Sequence, residues 1–346
     1  MELRVGFVGA GSISRPHLRA YVENPHVVDV HIADTSQEAR DRLAAEFGLI
    51  TQSEADAAAL FADPSIDVID ICAPHHLHHP LALAALKAGK HVITEKPIAL
   101  NLKQADEMIA AAKKAKKRLF VSMNQRMFPA HLKAKQIIDD GEIGKPFLGI
   151  VNVVGNEFAT MNDPNHWKGD LRQAGGGALI DTGYHAVYML QHFLGPARAV
   201  TAMTKRLRVE PRNKGDDTSV VAMEMAGGAV GSIVVTYAAT GDHWTETRQI
   251  IGPQGSLFIT DNPEDEIPLV GCLEGDAMPV KVHNPPNING YGIRRTLDHF
   301  IDCIVGNQRS QITAEEARAA LATVLAAYRS EKEGRRVEVS EISEAG

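Results

Sequence analysis

A chain of 346 residues is longer than one hydrophobic core usually serves, so two domains are expected. Its 44% hydrophobic and 23% charged residues are ordinary for a soluble globular protein, and a net charge of -7 argues against a nucleic-acid partner, which needs a basic face. Cys72, Cys272 and Cys303 are widely spaced and lack a C-x-x-C pair, which points to reduced thiols and a cytoplasmic setting. No apolar run is long enough to span a bilayer, and the chain opens on a strand pattern without the basic and apolar regions of a secretory leader.

The first third alternates strand and helix. LRVGFV (3–8) is an apolar run ending in glycine, followed by a helix over about 12–23. VVDVHIA (27–33) is the next strand, and SQEARDRLAAEFG a helix closed by Gly48. SEADAAALFAD (53–63) reads as a helix capped by Ser53. DVIDICA is a strand, HPLALAALKAG a helix, HVIT (91–94) a strand, NLKQADEMIAAAKKA a helix and RLFVSMN (118–124) a strand. The one basic run, KKAKKR at 113–118, ends a predicted helix, where cations suit the helix dipole. Strands separated by helices imply parallel pairing in a doubly wound sheet, with the strand C-terminal ends along the edge where ligands bind.

Beyond residue 124 the rhythm changes. A helix over about 129–140 precedes the strand PFLGIVNVV, and a glycine-rich entrance at 175 leads into ALIDTGYHAVYMLQHFLG. RAVTAMTKR, SVVAMEMA, AVGSIVVTYA, TRQIIG and SLFIT follow without intervening helices, several separated by turn signals as in an antiparallel meander. Helical patterns return at about 291–305 and 314–332. The fold class is therefore α/β: an N-terminal Rossmann domain over 1–122 and a substrate-binding and oligomerisation α+β domain over 123–346 with a large, mainly antiparallel sheet. The last helix is placed to pack back between the domains.

Three stretches carry chemistry. In VGFVGAGSIS, Gly9 permits a tight turn after the first strand and Gly11 a close backbone approach to a pyrophosphate. Ser14 replaces the third glycine of the pattern, and the amides of Ser12 and Ile13 open the following helix. Asp34 ends the second strand, where an acid accepts the adenosine ribose hydroxyls and repels a 2'-phosphate, favouring NAD; Thr35, Ser36 and Arg40 soften that discrimination, so NADP stays open. The competing role for Asp34 is a helix cap. TEKPIAL (94–100) sets Glu95 and Lys96 beside a core strand, where both are costly to desolvate, and a cis bond to Pro97 would re-aim the lysine. In GGGALIDTGYHAVY (175–188), Asp181 and His185 stand four apart on one helical face, where a carboxylate orients an imidazole for proton transfer. Alternatives are a surface pair, metal ligation with His192, or capping roles around a break at Gly183. The cluster His75, His76, His78 and His79 would need four converging ligands to hold a metal, so no metal is expected.

These elements together resemble the Gfo/Idh/MocA family of sugar and cyclitol oxidoreductases across essentially the whole chain. The resemblance rests on the glycine turn, Asp34, APHHLHHPLALAALKAGKHVITEKP at 73–97, NQR at 124–126 and GGGALIDTGYHA. It implies that Lys96 polarises the reacting hydroxyl, that His185 removes its proton, and that Asp181 holds the sugar and tunes both. By the same resemblance Glu95 contacts the nicotinamide ribose, Ala73, Pro74 and His78 line the cofactor channel, and Asn124 and Arg126 sit where cofactor meets substrate. Trp167 walls the sugar site, with Trp244 a further candidate from a later loop. Many relatives carry an acidic residue near Tyr188, so a different hydroxyl pattern is expected to be read there. The implied activity is an NAD-dependent dehydrogenase of a small sugar or cyclitol, in a homodimer or homotetramer without nucleic-acid or membrane partners. Alternatives are a reductase, a glycosidase that recycles NAD through transient sugar oxidation, and a non-catalytic nucleotide sensor.

Overall fold

The structure is a computed structural model that describes residues 1–210, 213–241, 244–261, 265, 268–273, 276–280, 282 and 288–342. The chain forms two compact units, Met1–Asn124 with Asn289–Arg318, and Gln125–Ile288 with Ala319–Gly346. Among the described residues no helix is long and apolar enough to cross a membrane.

The first unit runs β1 (Leu3–Val8), α1 (Ser14–Glu23), β2 (Val27–Ala33), α2 (Gln37–Glu46), β3 (Ile50–Glu54), α3 (Ala57–Ala62), β4 (Val68–Ile71), α4 (His75–Lys87), β5 (His91–Glu95), α5 (Leu102–Ala115) and β6 (Leu119–Ser122). The strands form one parallel sheet in the order β3-β2-β1-β4-β5-β6. Chain order reverses between β1 and β4, so the ends of these neighbours make the topological switch point at which such sheets bind ligands. Every residue of β1 except Arg4 is buried, as a strand covered on both faces requires.

One expectation fails in this unit. Ser53 belongs to β3 and does not cap a helix; α3 begins later, with Asp56 as its N-cap accepting the Ala58 N–H at 2.9 Å. β3 is an edge strand whose Thr51, Gln52 and Ser53 are exposed, so it lacks the apolar run that betrays a buried strand. The four-histidine cluster lies inside the first turns of α4, which starts at His75. The basic run ends α5 as expected, with Lys116 left-handed (φ 54°) at the C-cap.

The second unit contains α6 (Pro129–Asp139), β7 (Leu148–Val154), α7 (Phe158–Asn162), α8 (Leu171–Ala174), α9 (Ala178–Asp181), α10 (Gly183–Leu194), β8 (Ala197–Lys205), β9 (Thr218–Met225), β10 (Val230–Thr236), β11 (Thr245–Gly252), β12 (Gly255–Thr260), β13 (Leu269–Leu273) and β14 (Asp276–Val280). α11 (Ile288–Val305), α12 (Ala314–Glu333) and β15 (Val337–Glu338) complete the chain. The nine-stranded sheet runs β14-β13-β12-β11-β7-β10-β9-β8-β15. It is mixed rather than a simple meander, because β7 inserts between β11 and β10 and pairs with β10 in parallel. The helices between β7 and β8 provide the long crossover that a parallel partner needs.

The glycine-rich entrance to α9 is explained by packing within this unit. A Cβ on Gly177 would lie 1.8 Å from the Asp216 carbonyl oxygen. The Asp216 side chain accepts N–H bonds from Gly177 and Leu179 at 2.9 Å and hydroxyl bonds from Ser219 and Tyr328 at 2.8 Å. Its backbone carbonyl accepts the Ala178 N–H at 2.7 Å. One buried acid therefore caps the start of α9, which ends in Asp181 and leads through Thr182 into α10, the helix of His185. Gly177→Ala is expected to lower the unfolding free energy by at least about 1–3 kcal/mol, because backbone must move to admit the methyl group; urea denaturation measures it.

Candidate active site

The glycine turn of the first unit has the geometry of a phosphate cradle. Gly9 has φ +105°, and a Cβ there would lie 2.3 Å from the Cys72 carbonyl oxygen, so only glycine fits between β1 and β4. Ser14 is buried and donates its hydroxyl to the Gly9 carbonyl at 2.9 Å, tying helix to turn in place of the third glycine. Gly11 and Ser12 are exposed, and no protein atom lies within 4 Å of a Cβ built on Gly11. α1 begins after Ile13 without a side-chain cap, so its N-terminal amides suit an anion.

Asp34 is held at the end of β2 by the Ala10 N–H at 2.7 Å and the Ser36 N–H at 2.8 Å. Ser36, not Asp34, caps α2. Arg40 is buried and committed: Nη1 donates to the Asp34 carbonyl and Nε to Ser53 Oγ at 3.0 Å. The loop thus presents a fixed carboxylate, the arrangement that accepts ribose hydroxyls and opposes a 2'-phosphate. These residues fit a bound NAD.

Two neighbouring strand ends are joined by a fully buried histidine. His17 Nδ1 lies 2.8 Å from Asp70 Oδ2, and its Nε2 lies 3.1 Å from Glu95 Oε1. Tyr21 donates to the same Asp70 oxygen at 2.7 Å. The second oxygen of Glu95 accepts the Lys96 N–H at 3.2 Å, and the Lys96–Pro97 bond is cis. Burial alone would raise Glu95, yet His17 and Lys96 hold it at about 2. Burial alone would lower His17, yet Cys72 and Asp70 lift it well above the ordinary imidazole value. Cys72 is itself pushed up to about 12, first by burial and then by Asp70.

Of the α4 histidines, the His75 and His78 rings lie 5.7 Å apart. His78 is buried between the Pro97 carbonyl, 2.7 Å from Nδ1, and the Ala73 carbonyl, 2.9 Å from Nε2. Its ring lies between the two loops that carry Pro74 and Lys96, and burial pushes it toward the neutral form, in which a single ring N–H donates to one of the two carbonyls. His79 pairs with Glu107 at 2.7 Å.

In the second unit Asp181 ends α9 and His185 lies in the first turn of α10, with Thr182 between the helices in helical conformation. Asp181 Oδ2 takes a salt bridge from Lys168 Nζ at 2.7 Å and a hydrogen bond from Tyr237 Oη at 2.7 Å. Burial would lower Lys168, but the Asp181 carboxylate outweighs it and holds the ammonium above its usual value. Lys168 Nζ is 5.9 Å from the Trp167 ring centroid, and the Tyr237 and Trp244 rings are 6.0 Å apart. Trp167, Lys168, Asp181, Tyr237 and Trp244 thus form one chain of contacts, with polar groups between the only two tryptophans of the protein. His192 is not part of it: burial, then Arg126, Lys135 and His131, push it down to about 3.

Asn124 and Arg126 flank Gln125, the middle residue of the NQR stretch. Gln125 donates Nε2 to Glu246 at 2.8 Å and accepts from Arg248 at 2.6 Å, while its carbonyl lies 2.6 Å from His131 Nδ1. The sequence-derived site lacks Lys168, Tyr237, Gln125 and His17. Of these, Lys168 beside Trp167 and Gln125 within NQR carry a local signal.

Residues 3–123 match an oxidoreductase family with an NAD-binding Rossmann fold, and residues 131–258 match the GFO/IDH/MocA C-terminal domain. The chain is 31% identical over 295 residues to a levoglucosan dehydrogenase of Pseudarthrobacter phenanthrenivorans, covering 77% of this chain and 75% of that protein. It is 27% identical to a myo-inositol 2-dehydrogenase of Thermotoga maritima, covering 98% and 99%. A solved levoglucosan dehydrogenase in complex with NADH and levoglucosan superposes with a TM-score of 0.89 at 27% identity, covering 98% of this chain and 100% of that one.

The pair formed by Glu95 and His17 has a pH signature. Glu95 stabilises the fold above its unfolded pKa of about 4.3, and that contribution is lost as pH falls through its folded value. His17 stabilises fully below about 6.5, and that contribution is lost as pH rises through its raised folded value. Urea midpoints against pH are expected to trace a dome, and His17→Gln is expected to flatten both limbs.

Proposed function

The chain belongs to the Gfo/Idh/MocA family, and from that premise we propose that it is an NAD-dependent dehydrogenase of a small sugar or cyclitol. The observation that carries this reading is the presence in one chain of a fixed NAD cradle, Gly9 to Ser14 with Asp34, and a proton-transfer set flanked by both tryptophans. Relatives named for levoglucosan, myo-inositol and D-apiose support a polyhydroxylated ring or short sugar as the substrate class.

Bound NAD supplies the hydride chemistry; the protein supplies alignment and proton transfer. Lys96 hydrogen-bonds the hydroxyl to be oxidised and stabilises the oxygen as its proton leaves. His185 takes that proton. Asp181, held by Lys168 and Tyr237, accepts hydrogen bonds from sugar hydroxyls in a fixed orientation. Arg126 binds at the sugar end, and Trp167 and Trp244 offer flat faces to the C–H surface of the ring.

A homo-oligomer is part of the reading. One face of the nine-stranded sheet carries Met203, Val220 and Val234 in one cross-strand row and Leu148, Val230 and Ile251 in another. Met203 and Val230 are more than half exposed, and a second copy of the same sheet is the partner such a face suits. The location proposed is the cytoplasm, in keeping with the free cysteines.

The deciding assay mixes the protein and NAD with a panel of sugars, cyclitols and aryl glycosides, following NADH absorbance and products together. NADH accumulating with one sugar is the expected result. Aglycone released without NADH moves the protein to the glycosidases that recycle the cofactor. Lys96→Ala is expected to abolish turnover while NAD affinity stays nearly intact, since the lysine acts mainly in the transition state; full activity in that variant sinks the assignment. Asp34→Ala is expected to weaken NAD and relax discrimination against NADP, read by isothermal titration with both cofactors.

A further inference from the structure

His185 is held by a second residue of its own helix. Its Nδ1 is 2.7 Å from the hydroxyl of Tyr188, three residues on, and the two rings are 5.4 Å apart and steeply inclined. Tyr188 is only 3% exposed. Its oxygen also accepts the backbone N–H of Gln125 at 3.2 Å. Gln125 cannot drift, because Glu246, Arg248 and His131 hold its amide and its carbonyl. Arg248 is fully buried and answered by Glu246 and Asp261, so the far end of this chain of bonds is fixed by a buried ion pair. The other oxygen of Glu246 accepts the indole N–H of Trp244 at 3.1 Å, so the same carboxylate that braces Gln125 also braces a wall of the sugar site.

We propose that Tyr188 is a positioning residue that fixes both the ring orientation and the tautomer of His185. The inference rests on His185 acting as the base of the proposed reaction. A neutral imidazole accepts a proton only at its bare nitrogen. For Nε2 to be bare, the hydrogen must sit on Nδ1, and a hydrogen-bond acceptor beside Nδ1 selects that form. In this arrangement the phenol oxygen accepts from both Nδ1 and the Gln125 N–H, and its own hydrogen points away from the imidazole. Without that acceptor the ring reverts toward the Nε2–H form that free imidazole prefers, in which the reactive nitrogen is blocked.

The test uses Tyr188→Phe, which keeps the ring and removes the hydroxyl, in full-length protein labelled with 15N at histidine. The His185 imidazole signals are assigned by their loss in His185→Gln. The wild type is expected to show His185 protonated at Nδ1, and Tyr188→Phe to shift it toward protonation at Nε2. With the sugar found by the NADH assay, kcat is expected to fall roughly 10-fold or more in Tyr188→Phe, with KM held within about twofold. A wild-type ring protonated at Nε2, or a Tyr188→Phe variant whose imidazole signals and kcat are both unchanged, overturns the proposal. His185→Gln separates the two levels. Full activity in that variant removes His185 as the base, while the imidazole spectrum still decides whether Tyr188 selects the tautomer. Should Tyr188→Phe fail to fold, the wild-type spectrum alone carries the decision.

Discussion

A charge shut away from water must be answered where it lies, and in this protein the answers are also the supports of the chemistry. His17 is buried beneath the parallel sheet and sits between two carboxylates, Asp70 from β4 and Glu95 from β5. Those strands are adjacent in the sheet, and the loops that follow them carry Ala73 and Lys96. Ionised, the imidazole donates to both acids at once; removing it would leave Asp70 with Tyr21 and Glu95 with the Lys96 N–H, and neither with a facing cation from α1. The helix that carries His17 is the one whose first turn faces the phosphate cradle, so a single side chain ties cradle, strand end and lysine loop into one body.

The second unit uses the same device with a different cation. Arg248 on β11 is fully buried and paired with Glu246 and Asp261, and His131 Nε2 lies 3.0 Å from Asp261. What this network holds is Gln125, through its side chain and its backbone, and with it the turn that bears Arg126. Buried ion pairs of this kind add little to net stability, because desolvation consumes much of what attraction returns. Their use here is geometric. Hydride and proton transfer demand reacting groups held to fractions of an ångström, and a multiply bonded amide in a dry interior supplies that more firmly than a surface loop.

Much of this was legible in the residues. β1 and β2 fall at 3–8 and 27–33 as their apolar residues dictate, because strands covered on both faces are mostly hydrophobic, with Arg4 the break in β1 and Asp29 and His31 the breaks in β2. β3 was lost because an edge strand need not be apolar. The mixed character of the large sheet was invisible, since nothing in the strand β7 records whether its neighbour will run with it or against it. The glycines have causes that their motifs do not show. Gly9 is glycine because the Cys72 carbonyl leaves no room, whereas Gly177 is glycine because Asp216 occupies the space, a partner thirty-nine residues later in sequence. Long-range partners of this kind explain the misses at the candidate site too. Tyr237 reaches Asp181 from the end of β10 and Gln125 reaches Arg248 from a turn. Residue type at those positions carries no mark of the contact, because a tyrosine or glutamine is polar enough for the surface and bulky enough for the core.

The division of labour between cofactor and protein explains why the chemistry-bearing residues are few while their supports are many. A nicotinamide dehydrogenase need not build a nucleophile or a metal centre; it must keep one proton path open and one sugar orientation fixed. In the proposed reaction only Lys96, Asp181 and His185 exchange or share a proton. Around them stand His17 and Asp70 behind Glu95, Lys168 and Tyr237 on Asp181, and Tyr188 on His185. Changing the sugar then requires new walls around Trp167 and Trp244, while the proton-handling residues and their braces stay as they are. Relatives named for levoglucosan and for an inositol share this family, so the choice of sugar lies in side chains placed on the fold and not in the fold itself.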